Sequence, residues 1–182
     1  MTGTALKFTY QDYRALPAGG PRFQLLDGDL IVSPSPSLRH QRILRRLLRA
    51  LSDHVESGGL GEVLCAPLDV VLSKFDTPQP DLLFVAADHL HRLAPEGVQG
   101  PPDLIVEILS SDRNVDLNVK RKLYTKSGVI EYWIVDPDDN RVDIYRLQDR
   151  PDRPSATFRA GDFLESPTFP GFRIPLDAIL AP

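Results

Sequence analysis

The chain has 182 residues, 42% of them hydrophobic and 25% charged, and its formal net charge at pH 7 is -4. This length and balance predict a folded protein with a single domain over residues 1–182. No apolar run approaches the roughly 20 residues that a membrane helix needs, so we expect no membrane segment. The acidic balance gives no support for general nucleic-acid affinity, although a local basic patch is compatible with it.

The compartment is inferred from cysteine usage. The chain has one cysteine, Cys65, which excludes an internal disulfide and a metal cluster built on thiolates from one chain. Residues 1–7 lack the long apolar core of a signal peptide. We therefore expect a cytoplasmic protein.

The first half of the chain carries patterns for a short helix, a β-hairpin, a long helix, three strands and a second short helix. In chain order these elements are predicted at residues 8–16, 23–32, 36–56, 62–65, 68–72, 82–86 and 88–93. Asp27-Gly28 between two apolar runs is the strongest short hairpin signal. Ser35 is expected to cap the long helix, with Pro36 at its first position.

The long helix combines an apolar stripe with a crowd of basic side chains. The basic residues are Arg39, Arg42, Arg45, Arg46 and Arg49. Two interpretations are open: an ordinary solvated helix face, or a surface that contacts the phosphate backbone of a nucleic acid.

The second half of the chain begins with a loop and an apolar strand, followed by a helix, a second hairpin and a tail of short strands. These are predicted at residues 95–102, 102–110, about 114–126, 131–147 and 158–176. Asp112 or Asn114 would cap the helix, which runs through Lys126. A mainly antiparallel or mixed sheet with two principal helices is typical of an α/β or α+β protein.

The strand at 102–110 is apolar except for one carboxylate, Glu107. With the two-residue period of a strand, Glu107 shares a face with Ile105 and Leu109. An ionised carboxylate in such a strand is costly unless it is paired or bound to a metal. Glu107 is therefore expected at a wet strand end or beside a cationic group.

Two partners for Glu107 are found elsewhere in the sequence. Asp81 stands at the start of another apolar strand, and two strand-borne carboxylates suit a hard divalent cation such as Mg²⁺. Asp116, Lys120 and Tyr124 follow at four-residue spacing and share one helix face. A lysine beside a metal-bound water orients it or stabilises charge on a phosphate. The structural alternatives are a plain salt bridge for Glu107 and a helix-stabilising pair of Asp116 with Lys120.

The order of these motifs resembles the Uma family of restriction-endonuclease-like proteins, within the PD-(D/E)xK nuclease superfamily. The motifs that carry the resemblance are Leu26-Asp27-Gly28-Asp29-Leu30, the proline–serine loop with His40-Gln41, Pro80-Asp81, Glu107-Ile108-Leu109-Ser110, Asp116 with Lys120 and Tyr124, residues 128–137, and Pro170-Gly171-Phe172. The resemblance spans nearly the whole chain. It implies a restriction-endonuclease-like core with a mixed central β-sheet flanked by helices and an extra N-terminal hairpin.

The resemblance also implies a function and a site. The function is a metal-dependent endonuclease that hydrolyses DNA phosphodiester bonds, with Asp81, Glu107 and Lys120 as catalytic residues. Asp81, Glu107 and the backbone carbonyl of Ile108 would bind Mg²⁺ or Mn²⁺. His40 is a further candidate by its family position. DNA is the expected partner, and a homodimer is the expected assembly.

The chain departs from the family pattern in two places. The superfamily usually has its lysine two residues after the second acid, where this chain has Leu109; Lys120 is expected to replace it, and Lys122, about 160° away around the helix, is the fallback. Gln24 stands where the family commonly has a glutamate, which lowers the expected metal affinity. These departures favour a second hypothesis, a catalytically degenerate module that binds nucleic acid or protein. A third is a nuclease fold whose substrate is not DNA.

Overall fold

The computed structural model describes residues 6–17, 19–110 and 113–181. Its helices are α1 (Tyr10–Arg14), α2 (Leu38–Gly58), α3 (Arg121–Ser127) and α4 (Leu176–Leu180). Its strands are β1 (Phe23–Leu26), β2 (Asp29–Val32), β3 (Gly61–Cys65), β4 (Val70–Val71), β5 (Leu82–Ala86), β6 (Leu93–Ala94), β7 (Gly97–Gln99), β8 (Leu104–Ile108), β9 (Glu131–Asp136), β10 (Arg141–Arg146), β11 (Ala156–Arg159), β12 (Phe163–Ser166) and β13 (Phe169–Pro175). A 3₁₀-helix spans Ala87–Arg92, and a π-helix spans Val115–Lys120. None of the helices in these ranges is long and apolar enough to cross a membrane.

A six-stranded mixed sheet forms the centre of the protein, in the order β11-β10-β9-β8-β5-β3. β8 and β9 are parallel, with Glu107 opposite Ile134, and the other neighbours are antiparallel. A parallel pair needs a crossover connection, which the π-helix and α3 provide. β8 lies between β9 and β5 and is thus paired on both edges, and all five of its residues are buried.

The two faces of the sheet are covered by different helices. On β8, Val106 and Ile108 face the apolar stripe of α2 and the C-terminal tail. Ile105 and Leu109 face the other way and pack with aromatic residues of α3 and β9. Glu107 alternates with this second set. The side predicted for Glu107 is confirmed, and its carboxylate meets the π-helix and α3.

The predicted N-terminal hairpin is confirmed, and it lies against the segment that leads into β5. Asp27 and Gly28 form its turn with φ values of 49° and 77°, which glycine adopts freely and aspartate tolerates. Leu25 and Thr77 exchange backbone hydrogen bonds of 3.1 and 2.7 Å, and Leu25 is fully buried. The hairpin is thus part of the packed body.

The start of α2 differs from the prediction. Ser37, in extended conformation (φ -71°, ψ 162°), accepts a hydrogen bond of 3.1 Å from the amide of His40. This bond satisfies one of the free amides of the first turn. Ser37 rather than Ser35 is therefore the N-cap, and Pro36 precedes the helix.

Two other boundaries are corrected by local contacts. α1 is shorter than the predicted 8–16 because Thr9 and Asp12 form a capping box that fixes its start. The predicted loop at 95–102 contains a short strand, β7, which is parallel to β4 and antiparallel to β6.

A π-helix replaces the first turns of the helix predicted to run through Lys126. It continues directly into α3, which ends at Ser127 and is capped by Gly128 with a φ of 92°. Asp112 lies outside the described residues, and Asn114 makes no side-chain capping bond. π-helices are rare and occur frequently at functional sites. This one carries two buried charged residues, Asp116 and Lys120.

The C-terminal tail closes the α2 side of the sheet. Phe169 of β13 packs edge-on against Trp133, with ring centroids 6.4 Å apart. Glu131, at the start of β9, is fully buried and accepts hydrogen bonds from Trp133, Ser166 and Thr168. Three donors satisfy this carboxylate inside the core, and they tie the tail to the sheet.

Candidate functional site

A cavity of about 330 Å³ opens between the N-terminal hairpin, the start of α2, the edge of the sheet and the π-helix. All the residues predicted from the sequence as site residues line it: Gln24, His40, Asp81, Glu107, Ile108 and Lys120. They come from five separate segments of the chain. The fold therefore brings the predicted residues together around one space.

Asp81 lies directly before β5 and beside the end of β8. The two strands are antiparallel with Leu82 opposite Val106, so one further step in register sets Asp81 opposite Glu107. Side chains in such opposed positions have Cβ atoms about 4.5–5.5 Å apart. Asp81 Oδ2 accepts the amide of Ile108 at 2.8 Å, which orients the carboxylate. Oδ1 receives no hydrogen bond from the described residues.

Glu107 is 3% exposed, and both of its donors bind the same oxygen. The hydroxyl of Tyr124 donates to Oε1 at 2.7 Å, and Nζ of Lys120 donates to it at 2.9 Å. No donor to Oε2 is found in the described part of the chain. The carboxylate is therefore held through Oε1, while Oε2 is available to a ligand in the cavity.

Lys120 is buried between two acids. Its ammonium lies 2.9 Å from Glu107 Oε1 and 3.1 Å from Asp116 Oδ1. Asp81 lies opposite Glu107, so with all four groups ionised the cluster holds three negative charges and one positive charge, a net charge of -2. Lys122 is exposed on α3 and does not line the cavity, so the geometry favours Lys120 over the fallback.

The protonation of this group is dominated by burial. Burial raises the pKa of Glu107 to about 8, Lys120 opposes that shift, and Asp116 and Asp81 add to it. Burial by itself lowers the pKa of Lys120, but the charges of Glu107 and Asp116 leave it above its ordinary value. Lys120 therefore keeps its proton at neutral pH, and Glu107 is the member of the pair that titrates.

The donor set suits a hard divalent cation. Mg²⁺ prefers oxygen ligands and usually takes one or two carboxylates while keeping several waters. Asp81 and Glu107 each present one carboxylate oxygen to which no described residue donates, and the site has excess negative charge. No group of three or more His, Cys, Asp or Glu side chains able to hold a metal occurs among residues 6–17, 19–110 and 113–181. The carboxylate ligands are thus limited to two, a number that Mg²⁺ accepts.

His40 supports Asp81 from the first turn of α2. Its Nε2 lies 3.0 Å from Asp81 Oδ2 and donates to it, because an ionised carboxylate only accepts. The side chain is nearly buried, and Nδ1 has no hydrogen-bond partner within the described residues. His40 therefore fixes the orientation of Asp81 together with the amide of Ile108.

Gln24 lines the cavity, but both ends of its amide are engaged. Its Oε1 accepts the amide of Gln79 at 3.0 Å, and its Nε2 donates to Ser33 Oγ at 2.9 Å. Gln24 therefore links β1 to the loop after β2 and to the segment before β5. The lower metal affinity expected from the absence of a glutamate here stays a prediction.

The arginine-rich face of α2 is divided between structural and free side chains. Arg39 donates to Asn140, Arg46 donates to the carbonyls of Ile179 and Ala181, and Arg49 lies 3.7 Å from Asp53. Arg42 and Arg45 are exposed and make no side-chain bond within the part of the chain described. The exposure of Arg42 and Arg45 is compatible with either interpretation of this face, and both stay open.

The chain is similar to known proteins along most of its length. A family model, Uma2, described as "Putative restriction endonuclease", matches residues 10–177. A crystal structure described as that of a putative nuclease belonging to DUF820, from Anabaena variabilis, superposes with a TM-score of 0.79 at 19% identity. The match covers 96% of this chain and 98% of that chain. No curated protein sequence matches. The similarity confirms the predicted fold, a mixed central sheet flanked by helices.

Proposed function

Because this chain belongs to the Uma2 family of putative restriction endonucleases, we propose that it is a metal-dependent endonuclease that hydrolyses DNA phosphodiester bonds. The observation that supports this proposal most directly is the pair of carboxylates on neighbouring strands. Asp81 and Glu107 face one cavity, and each keeps one oxygen that no described residue binds. If the two carboxylates were only structural, hydrogen-bond donors would be expected at these two oxygens as well.

Asp81, Glu107 and the carbonyl of Ile108 would hold the cation, Mg²⁺ or Mn²⁺. When bound, such an ion activates water for attack and offsets charge on the scissile phosphate. The protein contributes orientation: Tyr124 and Lys120 hold Glu107 through one oxygen, and His40 holds Asp81. In the reaction a water oxygen bonds to phosphorus, one ester P–O bond breaks, and the departing oxygen takes a proton.

Lys120 has the second catalytic role in this proposal. Its ammonium contacts Glu107 and Asp116, and the contact with Glu107 places it at the edge of the reacting centre. An ammonium there orients the attacking water or stabilises charge on the phosphate. Asp116 limits the mobility of the ammonium, so its position is set before substrate arrives.

The test is a nicking assay with Mg²⁺ or Mn²⁺ on plasmid DNA and, in parallel, on circular single-stranded DNA. Asp81→Asn and Glu107→Gln keep the size of each side chain and remove its charge, and Lys120→Met removes the ammonium. The matched control is Glu96→Gln, which alters an exposed loop carboxylate that does not line the cavity. We expect loss of nicking in the three site variants and wild-type nicking in the control. Equal residual activity in all five proteins would refute the enzyme proposal.

A second candidate function is a binding module on an inactive nuclease core. It is favoured by Gln24, whose amide oxygen and nitrogen each make a hydrogen bond within the fold, and by the net charge of -4. The two candidates are separated by metal titration of the same proteins. Metal-dependent thermal stabilisation that is lost in Glu107→Gln, together with no nicking, would support the binding module.

The proposal includes a cytoplasmic homodimer acting on DNA, because a dimer offers one such site to each strand of an opened duplex. Light scattering after size exclusion measures the assembly directly. A monomer at all concentrations that support activity would remove the dimer from the proposal and leave the site unaffected.

A further inference from the structure

We propose that this site acts on an unpaired DNA strand, such as a strand end, flap or frayed segment, rather than on continuous duplex. The inference rests on the proposed function and specifies its substrate class. It is supported by three features of the cavity: a wall that closes one side, a small number of free cations among the described residues, and exposed apolar side chains at the rim.

The wall is formed by residues 22–37, the N-terminal hairpin and the proline–serine loop, which we call the site wall. It supplies nine of the 21 residues that line the cavity. The enclosed volume of about 330 Å³ lies near the lower end of small-molecule pockets, about 300–1,000 Å³. Glu107 is 3% exposed at the back of this space. A phosphate must therefore enter the cavity to reach it.

The site wall is fixed to the body of the protein. Leu25 pairs with Thr77 through two backbone hydrogen bonds, and the amide of Gly28 donates to the carbonyl of Phe75 at 2.8 Å. Gln24 links the two halves of the wall to Gln79. Swinging the wall away would break all of these bonds and expose the buried Leu25. The site wall therefore keeps its position when DNA binds. It blocks access of a duplex to the cavity, whereas a single strand fits beside it.

The free cations near the cavity are few. Lys120 is neutralised by Glu107 and Asp116. Arg22 lines the cavity, is exposed, and makes no side-chain hydrogen bond or ion pair within the described residues. Arg42 and Arg45 are also exposed and without such a bond; they do not line the cavity but lie one and four residues beyond Gln41, which does. Proteins that grip duplex DNA commonly neutralise about 6–10 phosphates, while three arginines suit a short stretch of one strand.

The rim of the cavity carries exposed apolar side chains among its polar ones. Val32, which lines the cavity, is 54% exposed; Leu38, which is 67% exposed, does not line it but directly follows the lining residue Ser37. Pro34 and Pro36 line the cavity between them. Unpaired bases present apolar faces that pack on such surfaces, whereas the bases of a duplex are stacked inside it.

The first experiment compares one labelled oligonucleotide as a single strand, as a blunt duplex, and as the same duplex with an unpaired flap. Initial cleavage rates are measured with Mn²⁺, and binding is measured by fluorescence anisotropy without added metal. We expect the single strand and the flap to be cut about tenfold or more faster than the duplex, because opening even one base-pair step costs about that factor. Equal rates on single strand and duplex would overturn the inference and leave the proposed function standing.

The second experiment uses binding, which does not depend on catalysis. Three free arginines predict a slope of log K against log salt of about -2 for the single strand, and Arg22→Gln should lower its magnitude by about 0.7. Arg159→Gln is the matched control, because Arg159 is exposed on the edge strand β11. Its slope should equal that of the wild type, and thermal melting checks that both variants fold.

The outcomes separate the two proposals. Preferential binding of the single strand without any cleavage would remove the nuclease function and keep the substrate class. Tighter binding of the blunt duplex than of the single strand, or an unchanged slope in Arg22→Gln, would overturn the inference.

Discussion

Replacing Tyr124 by phenylalanine tests whether Glu107 is held in place by its two donors. The change removes only the hydroxyl that donates to Glu107 Oε1 at 2.7 Å, in a side chain that is fully buried. Above pH 8, where Glu107 is ionised, a hydrogen bond to this charged group contributes about 1.5–3 kcal/mol. For a chain of this length, each kcal/mol shifts the melting temperature by about 2–4 °C, so we expect a loss of roughly 3–12 °C.

The same change should weaken metal binding. The Tyr124 hydroxyl stabilises the ionised form of Glu107, so its removal raises the pKa of Glu107 further above neutrality. A larger fraction of Glu107 then carries a proton that a cation must displace. We therefore expect Mg²⁺ to raise the melting temperature of Tyr124→Phe less than that of the wild type.

The assay is thermal or urea unfolding of purified protein with and without Mg²⁺. Tyr145→Phe is the matched control, since Tyr145 is also buried but its hydroxyl has no hydrogen bond to any described residue. The control should unfold within about 0.5 kcal/mol of the wild type and respond fully to Mg²⁺. If Tyr124→Phe and Tyr145→Phe behave alike in both measurements, Tyr124 does not hold Glu107.

Three further predictions follow from the charges in and around the site. Mg²⁺ affinity should rise about tenfold per pH unit as pH increases toward the Glu107 pKa of about 8, because Mg²⁺ binding releases the proton of the Glu107 carboxyl. Calorimetry measures this affinity, and a constant value from pH 6 to pH 8 would contradict the prediction. Gln24→Glu should fold normally, because a carboxylate can still accept the Gln79 amide, and should bind Mg²⁺ more tightly; equal affinity would show that the position lies out of reach of the cation. Burial raises the pKa of Asp136, but Arg113 and the amide of Asp139 outweigh burial and hold the pKa below its ordinary value. The ionised Asp136 therefore stabilises the fold at neutral pH. This contribution is lost as pH falls through the lowered pKa. Asp136→Asn should therefore cost about 2 kcal/mol at pH 7, with a smaller difference from the wild type below pH 4 in urea unfolding; a constant difference would refute the linkage.

The sequence was most informative where the signal is local. Strand alternation was sufficient to put Glu107 on the face of Ile105 and Leu109, and four-residue spacing was sufficient to put Asp116 beside Lys120. The hairpin followed from Asp27-Gly28. Each of these depends on residues close together in the chain.

Contacts between distant segments were beyond local patterns. His40 donates to Asp81 across 41 positions, and Tyr124 reaches Glu107 across 17. Which strand a helix packs on is set by tertiary packing. The spacing of Tyr124 therefore predicted the helix face that it shares with Lys120, but not its hydrogen bond to Glu107. Choosing Ser37 over Ser35 as the cap, and forming a π-helix at Lys120, likewise depend on how the whole segment packs.

The chain has a single tryptophan, Trp133, and its surroundings make it a built-in optical reporter. Its indole N–H donates to Glu131 at 2.6 Å, and Glu131 also binds the hydroxyls of Ser166 and Thr168. Detachment of the tail would hydrate the ring and shift its fluorescence to longer wavelength. Glu107 lies on the opposite face of the sheet, so emission from Trp133 distinguishes loosening of the tail from events in the cavity, with no label added to the protein.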